Sequence, residues 1–596
     1  MMPLIVTRRD RFLNAKMLAG GLLVWSCLAV PMLSAWFAFA ELGGWPLNDD
    51  PFYAKPLAYW AAGDGLQSVR QGGALTASSV AHVTTGMLAV VGHEFAYRPL
   101  FLVCIAQQSF GAASIFFMAR ALSLSYGIAA LGSFTLALFP LYLGHAFTFM
   151  TDGPAAAWSS IACACLVWGS VKNDWRWLCV GSLAIGWGYW MRQTNGLLVM
   201  APLIAISAYR WRSVGPAGPG MKEYAAVLAG AGIACLLLET GLILPSSLER
   251  ASDIAPNAEY GYTKRVVIAT YGFLLLSGWY AIPWLPLLVQ EAIRSGTQLA
   301  SSTRRICMST AILVLLATSS PFLLSQGRAC ITNSTGSFIQ NAHFGPIFLS
   351  DMDEPGRWGE LGGVVWPLWV WASLSILALI SSAALAWWVA WTVVYWFSNS
   401  AGSADSRMAA AVGLLLMTGL SAFAIILFVE PHMDRYWMFL FPAMVIWWLL
   451  LAAKCGWKPS RFAVAWAVLW MFLHLGVSVV FTHDMLAWND ARWRYVNAQI
   501  AAGAAAETID AGRDVNAWLR LDEDPDTSAR PGDKSSWWSG RATVALAVGQ
   551  RPGWHEVDRL PWTSWATART HHLLLLERDD SIYSLNHDHP ATERSP

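Results

Sequence analysis

Charge is what this chain of 596 residues has least of. Only 13% of it is Asp, Glu, Lys or Arg, and 39 basic against 38 acidic side chains leave a formal net charge of +1. That near-neutral balance provides no basic surface for nucleic acid. The nine cysteines are scattered, most of them inside apolar runs, with no disulfide framework and no zinc-ligand spacing. No internal repeat is visible. Ionisable residues are nearly absent from the middle of the apolar runs, with Glu239 and His474 the exceptions. A chain that moved ions through a bilayer would place such groups near mid-span and would often show a repeat.

Apolar length is abundant. Hydrophobic residues make up 56% of the chain and the mean hydropathy is +0.43, too high for an ordinary water-soluble domain. A hydrocarbon core needs about 20 apolar residues per helix. Roughly thirteen runs meet that length, near 17–40, 98–119, 126–147, 154–171, 177–191, 195–209, 224–245, 266–290, 306–324, 363–396, 408–429, 437–453 and 462–482. The run 363–396 fits either one tilted helix or two short ones. The expected fold is therefore an all-α polytopic membrane domain over 1–482. After about 483 the composition turns polar, and "ATVALAVG" and "HHLLLLER" read as short buried strands, so 483–596 is expected to be a small C-terminal α/β domain.

Lys and Arg in short loops favour the cytoplasm. Arg8, Arg9, Arg11 and Lys16 precede the first run, and later basic groups recur in alternate connections. The N-terminus is thus expected inside. The connections at 41–97, 148–153, 192–194, 246–265, 325–362 and 430–436, with the C-terminal domain, are expected outside. The opening run lacks a cleavage pattern and reads as a retained helix.

The unusual residues then gather on the outer side. In "PLNDDPFYAK", residues 46–55, Asp50 followed by Pro51 matches a helix N-cap with proline at the first position. Tyr53, Leu57 and Trp60 share one face of the helix that follows, which suits a surface helix in the first outer loop. Asp49 has no capping duty and is the freer carboxylate. "TFMTDGP", residues 148–154, repeats the arrangement with Asp152. Two outer loops that each present an acid at the bilayer surface suit a reaction on a lipid-borne substrate.

These stretches, with "YRPL" at 97–100, "DRYWMFLFP" at 434–442 and "IDAG" at 509–512, resemble the GT-C superfamily of membrane glycosyltransferases. Within it the chain is most similar to the branch of protein O-mannosyltransferases and aminoarabinose lipid A transferases, over nearly its whole length. The resemblance implies transfer of one sugar from a polyprenyl-phosphate donor to a lipid, glycan or protein acceptor on the outer face, with inversion. It also implies an acid in the first outer loop that acts on the acceptor. Asp49 matches it by motif, although the family's usual Asp-Glu pair is Asp-Asp here, so Asp50 remains a second candidate and Asp152 a third.

An attacking hydroxyl must lose a proton, which a carboxylate takes as general base, and the departing phosphate needs cations and donors. Lys55, Arg98, Arg192, Arg265 and Arg435, with Tyr53 and Tyr436, are the candidates. The alternative for Arg98 and Arg435 is snorkelling to head groups, and for Asp50 and Asp152 helix capping alone. No cofactor is required by the sequence; a divalent cation held by the outer acids is open, with no spacing that prescribes its geometry. The glycine- and proline-containing loop 325–362 suits a cover over the bound carrier. Compactness inclines the reading to a bacterial inner-membrane enzyme facing the periplasm. A lipid-linked sugar flippase or a noncatalytic assembly protein are the alternative classes.

Overall fold

The computed structural model describes residues 8–42, 44–47, 50–64, 79–91, 94–172, 174–192, 262–326, 366–399, 406–428, 434–520 and 542–579. Asp49, Glu239, the expected spans 195–209 and 224–245 and nearly all of the loop 325–362 lie outside the described residues, as do the side chains of Arg265 and Asp434.

The helices in chain order are α1 (Arg8–Ala38), α2 (Asp50–Ala62), α3 (Val80–Val90), α4 (Arg98–Ala121), α5 (Tyr126–Ala137), α6 (Pro140–Gly144), α7 (Asp152–Lys172) and α8 (Trp175–Met191). Then come α9 (Tyr262–Ala281), α10 (Leu285–Gln298), α11 (Ser301–Leu324), α12 (Leu368–Asn399), α13 (Ser406–Phe428), α14 (Phe441–Cys455), α15 (Arg461–Ala501) and α16 (Arg513–Arg520). Among the described residues eight helices are long and apolar enough to cross a bilayer, or nine if a bent pair counts as one span. The run 363–396 proves to be a single helix of 32 residues, α12.

The bent pair is the expected span 126–147. It breaks by 59° between Tyr126–Ala137 and Pro140–Phe147. Pro140 supplies the reason: it has no N–H for the preceding turn, and its ring pushes Phe139 into extended backbone at ψ 131. The bend leads the chain into His145–Asp152, the stretch on which the site is built.

Close helix approach rests on small residues, as membrane packing requires. A Cβ at Gly111 of α4 would stand 2.5 Å from Ala157 Cα of α7. Ser133 of α5 donates to the Ala112 carbonyl of α4 at 2.6 Å, and Trp284 Nε1 donates to Thr135 Oγ1 at 2.8 Å. Large apolar side chains such as Leu23, Phe37, Leu313, Leu324, Phe397, Phe423 and Phe472 stay exposed on the outside of the bundle, where lipid would cover them. His474 sits deep, its ring ringed by Phe139, Trp279 and Trp470.

At 41 residues, α15 is about 60 Å long, twice the roughly 30 Å hydrocarbon thickness. The polar half of this helix therefore projects from the bundle, and the expected boundary between 482 and 483 falls inside one continuous helix. The projecting half carries a four-stranded sheet of order β1-β2-β4-β3, with β1 (Ile509–Asp510) parallel to β2 (Val544–Ala547). The pairs β2 with β4 (Arg569–Arg578) and β3 (Trp554–Ser564) with β4 are antiparallel. Both strands read from the sequence are present as β2 and β4. β3, half of it exposed and containing Pro561, carried no such apolar signal.

The sheet is fastened to α15 at the β3–β4 turn. Asp484, fully buried, accepts from Ser564 Oγ at 2.6 Å, Trp565 N at 2.6 Å and Ala566 N at 3.2 Å, and His483 stacks on Trp565 with ring centroids 3.8 Å apart.

Candidate active site

The expected outer ends converge. The C-terminus of α1, the N-termini of α4, α7 and α14, the C-terminus of α8 and the small domain meet at one end of the bundle. At the other end Glu291 of α10 pairs with Arg294 at 3.2 Å and accepts from Lys458 N at 3.2 Å.

The centre of the first end is the stretch His145–Asp152, buried throughout although Thr148–Met150 is not helical. Buried non-helical backbone must find partners, and Phe149 finds two. Its N–H donates to Asp50 Oδ2 at 3.1 Å, and its carbonyl accepts from His82 Nε2 at 3.0 Å. Since Nε2 carries that proton, Nδ1 is the bare nitrogen of a neutral ring. Burial holds His82 down to about 4, so it stays uncharged at neutral pH. Its ring stacks on Phe149 at 4.0 Å and meets Tyr53 edge-on at 5.5 Å.

Asp50 does not cap its own helix. Oδ2 accepts from Leu47 N at 3.2 Å, Phe149 N at 3.1 Å and the Tyr97 hydroxyl, three donors from three separate segments and none from α2. Oδ1 has no partner. Complete burial outweighs the three donors and pushes the carboxyl up to about 8, so it is largely protonated at neutral pH. Pro51 does stand at the start of α2 as expected.

Asp152 is the first residue of α7, where a carboxylate complements the helix dipole. It also forms an ion pair with Arg192 Nη1 at 2.7 Å, and the same nitrogen lies 3.2 Å from Thr151 Oγ1. Arg192 and Arg435 flank one ring: their guanidinium carbons lie 5.3 and 5.4 Å from the Tyr436 centroid. Arg435, 5% exposed, reaches Met150 Sδ at 3.8 Å. Adjacent residues of one buried stretch thus touch the acid segment through Phe149, Arg435 through Met150, and Arg192 through Thr151 and Asp152.

Arg98 and Lys55 make contacts elsewhere. Arg98 donates to the Trp36 and Ala40 carbonyls at 2.7 and 2.9 Å and lies over the Trp36 ring, which closes the C-terminus of α1. Lys55 reaches the Trp518 carbonyl of α16 at 3.1 Å. Neither stands with Arg192 and Arg435. His82, Tyr97 and His145 were missed in the sequence; Tyr97 had a signal, its place in "YRPL", while the two histidines had none.

No family model and no curated protein matches this chain. Solved structures do. The chain is similar to the Archaeoglobus fulgidus oligosaccharyltransferase in its apo form, at 14% identity and a TM-score of 0.42, over 86% of this chain and 61% of that one. It thus spans less than two thirds of that protein. It is also similar to ArnT from Cupriavidus metallidurans, at 13% identity and a TM-score of 0.39, both apo, over 94% of this chain and 98% of that one, and bound to undecaprenyl phosphate, over 93% and 97%. A third is the arabinosyltransferase EmbB from Mycobacterium smegmatis, at 15% identity and a TM-score of 0.34, over 82% and 43%. At these identities and TM-scores the likeness carries no argument about single residues, whose roles rest on the contacts above. Among the described residues no three His, Cys, Asp or Glu side chains gather as metal ligands would.

Proposed function

We propose that the chain is a GT-C type membrane glycosyltransferase that moves one sugar from a polyprenyl-phosphate carrier to a lipid, glycan or protein acceptor at the end carrying the small domain. The observation that carries this reading is the His145–Asp152 stretch, which joins a buried acid segment on one side to two arginines around a tyrosine on the other. Undecaprenyl phosphate, bound in the similar ArnT structure, is a carrier of the proposed class.

In the proposed reaction an acceptor oxygen attacks the anomeric carbon as the bond to the carrier phosphate breaks. The bonding pair leaves on a phosphate oxygen, and the acceptor proton passes to a carboxylate. A single displacement of this kind inverts the anomeric centre. Arg435 and Arg192, with the Tyr436 hydroxyl as a donor, are assigned to the phosphate, whose charge grows as the bond breaks. Asp152 keeps Arg192 in place.

Asp49 is assigned the proton, and its neighbour Asp50 a holding role. A base needs an ionised carboxylate, and Asp50 is buried and mostly neutral at pH 7. A neutral neighbour also spares Asp49 the repulsion of a second adjacent charge. We assign the N-terminus to the inside and the small domain to the outside on the distribution of Lys and Arg, and the chain to a bacterial inner membrane, facing the periplasm, on its compactness.

The test is a mass-spectrometric comparison of envelope glycolipids, glycans and glycoproteins from cells with the wild-type chain, without it, and with Asp49→Asn. One acceptor losing a sugar mass in both defective strains is the expected result. A profile changed by deletion but not by Asp49→Asn overturns the base assignment and favours transport of the lipid-linked sugar.

A further inference from the structure

We propose that Asn489 is a positioning residue for this reaction: its carboxamide, oriented by Arg492, holds the backbone of Trp45 and Pro46 and so sets the place of the peptide that carries Asp49 and Asp50. The inference rests on the glycosyltransfer reading for its catalytic part and on geometry alone for its mechanical part.

Asn489 lies on the projecting half of α15, 1% exposed. An amide placed between carbonyls and a guanidinium has one orientation that satisfies both. Its oxygen accepts from Arg492 Nη2 at 2.5 Å, and its nitrogen donates to the carbonyls of Trp45 and Pro46, each at 3.3 Å. Arg492 is fully buried and fixed in turn by Asp514 of α16, through two parallel bonds of 2.7 and 2.6 Å, and by the Ala511 carbonyl at 3.1 Å.

The same face of α15 holds the same two residues in other ways. Trp493 Nε1 donates to the Pro46 carbonyl at 3.2 Å, Trp45 Nε1 donates to Asp490 at 3.0 Å, and the two indoles stack 5.6 Å apart. Next in the chain, Leu47 and Asp50 bond to each other in both directions, Leu47 N to Oδ2 at 3.2 Å and Asp50 N to the Leu47 carbonyl at 3.1 Å. On the far side of the acids Lys55 reaches the Trp518 carbonyl, on the helix that carries Asp514. The acid-bearing peptide is thus gripped before and after by α15 and α16, and not by the bundle alone. Arg192 and Arg435, the carrier-binding pair, make none of these contacts.

The decisive variant is Asn489→Asp. It keeps the size of the side chain and strengthens the pairing with Arg492, so the fold is retained, but it removes the donor and turns a carboxylate towards two carbonyl oxygens. Three measurements separate the outcomes: hydrogen exchange of the peptide spanning 44–55 in purified full-length protein, binding of undecaprenyl phosphate by the same protein, and transfer in host membranes supplying donor and acceptor, read by mass.

We expect exchange over 44–55 to rise at least tenfold, carrier binding to stay within twofold, and transfer to fall at least tenfold. Trp493→Phe, which loses one donor and keeps the ring, gives smaller changes in the same direction. Unchanged exchange over 44–55 overturns the inference, as does a loss of carrier binding in step with transfer. If wild-type membranes form no glycosylated product, the glycosyltransfer reading fails, and the exchange result alone decides whether Asn489 holds the segment.

Discussion

Asp50 offers a prediction whose sign follows from its surroundings. The carboxyl is fully buried and raised from 3.8 to about 8, so between those values the folded chain holds a proton that the unfolded chain has released. Stability then falls as pH climbs through that window, because the folded state binds more protons. At 1.36 kcal/mol per pH unit of displacement, the loss by pH 9 amounts to about 6 kcal/mol. Asp50→Asn removes this penalty and keeps an oxygen for the Leu47, Phe149 and Tyr97 donors. The new amide faces the side where Oδ1 has no partner, at a cost of about 1–3 kcal/mol. The variant should thus be more stable than wild type by about 3–5 kcal/mol at pH 9 and equal or less stable at pH 5. Melting curves by tryptophan fluorescence in lipid nanodiscs, from pH 5 to 9, make the comparison. Parallel pH dependence in the two proteins would refute the reasoning, since it would mean that Asp50 is already ionised at neutral pH.

Arg435→Met should weaken undecaprenyl phosphate binding by about ten- to a hundredfold, the worth of a charge-assisted contact, with Arg435→Lys intermediate; equal affinities measured by titration would remove Arg435 from the phosphate site. Arg98→Met should lower the melting temperature by uncapping α1 while carrier binding is kept, and a selective loss of binding would restore Arg98 to the donor site. Gly278→Val should cost about 1–3 kcal/mol or more, because a Cβ there collides with the Ala378 carbonyl of α12; a wild-type melting temperature would contradict the tight α9–α12 contact. Asp484→Asn should loosen the β3–β4 turn from α15, seen as faster proteolysis within 554–578 with the bundle intact.

Much of the membrane architecture was legible in the sequence because it is set by composition over tens of residues. Apolar runs long enough for a bilayer become helices whatever they pack against, since lipid offers no other partner for backbone N–H and C=O. Local rules held in part: Pro51 stands in the first turn of α2 and the apolar stretches at 544 and 573 became strands, whereas the break at Pro140 inside the expected span 126–147 was not read from the sequence. The polar turn of composition near 483 was also real, but a helix continues through a change of solvent as long as its own hydrogen bonds are kept, so α15 crosses that boundary without a break.

The site was legible only in outline. That Asp50, Asp152, Arg192 and Arg435 lie at one end follows from the order of runs and loops in the chain. Which of them meet does not, because each partner comes from a different segment: Asp50 is held by Tyr97 and Phe149, Arg435 faces Met150, and Asn489 reaches back to Trp45. Arg98 and Arg192 look alike as cations at span ends, yet one closes α1 and the other joins Asp152 beside Tyr436. The sequence by itself determined which residues sit in lipid, where helices begin and which side chains share an end. The tertiary structure alone decided which carboxyl is buried and neutral and which arginines are paired, because those states depend on burial and on donors brought from distant parts of the chain.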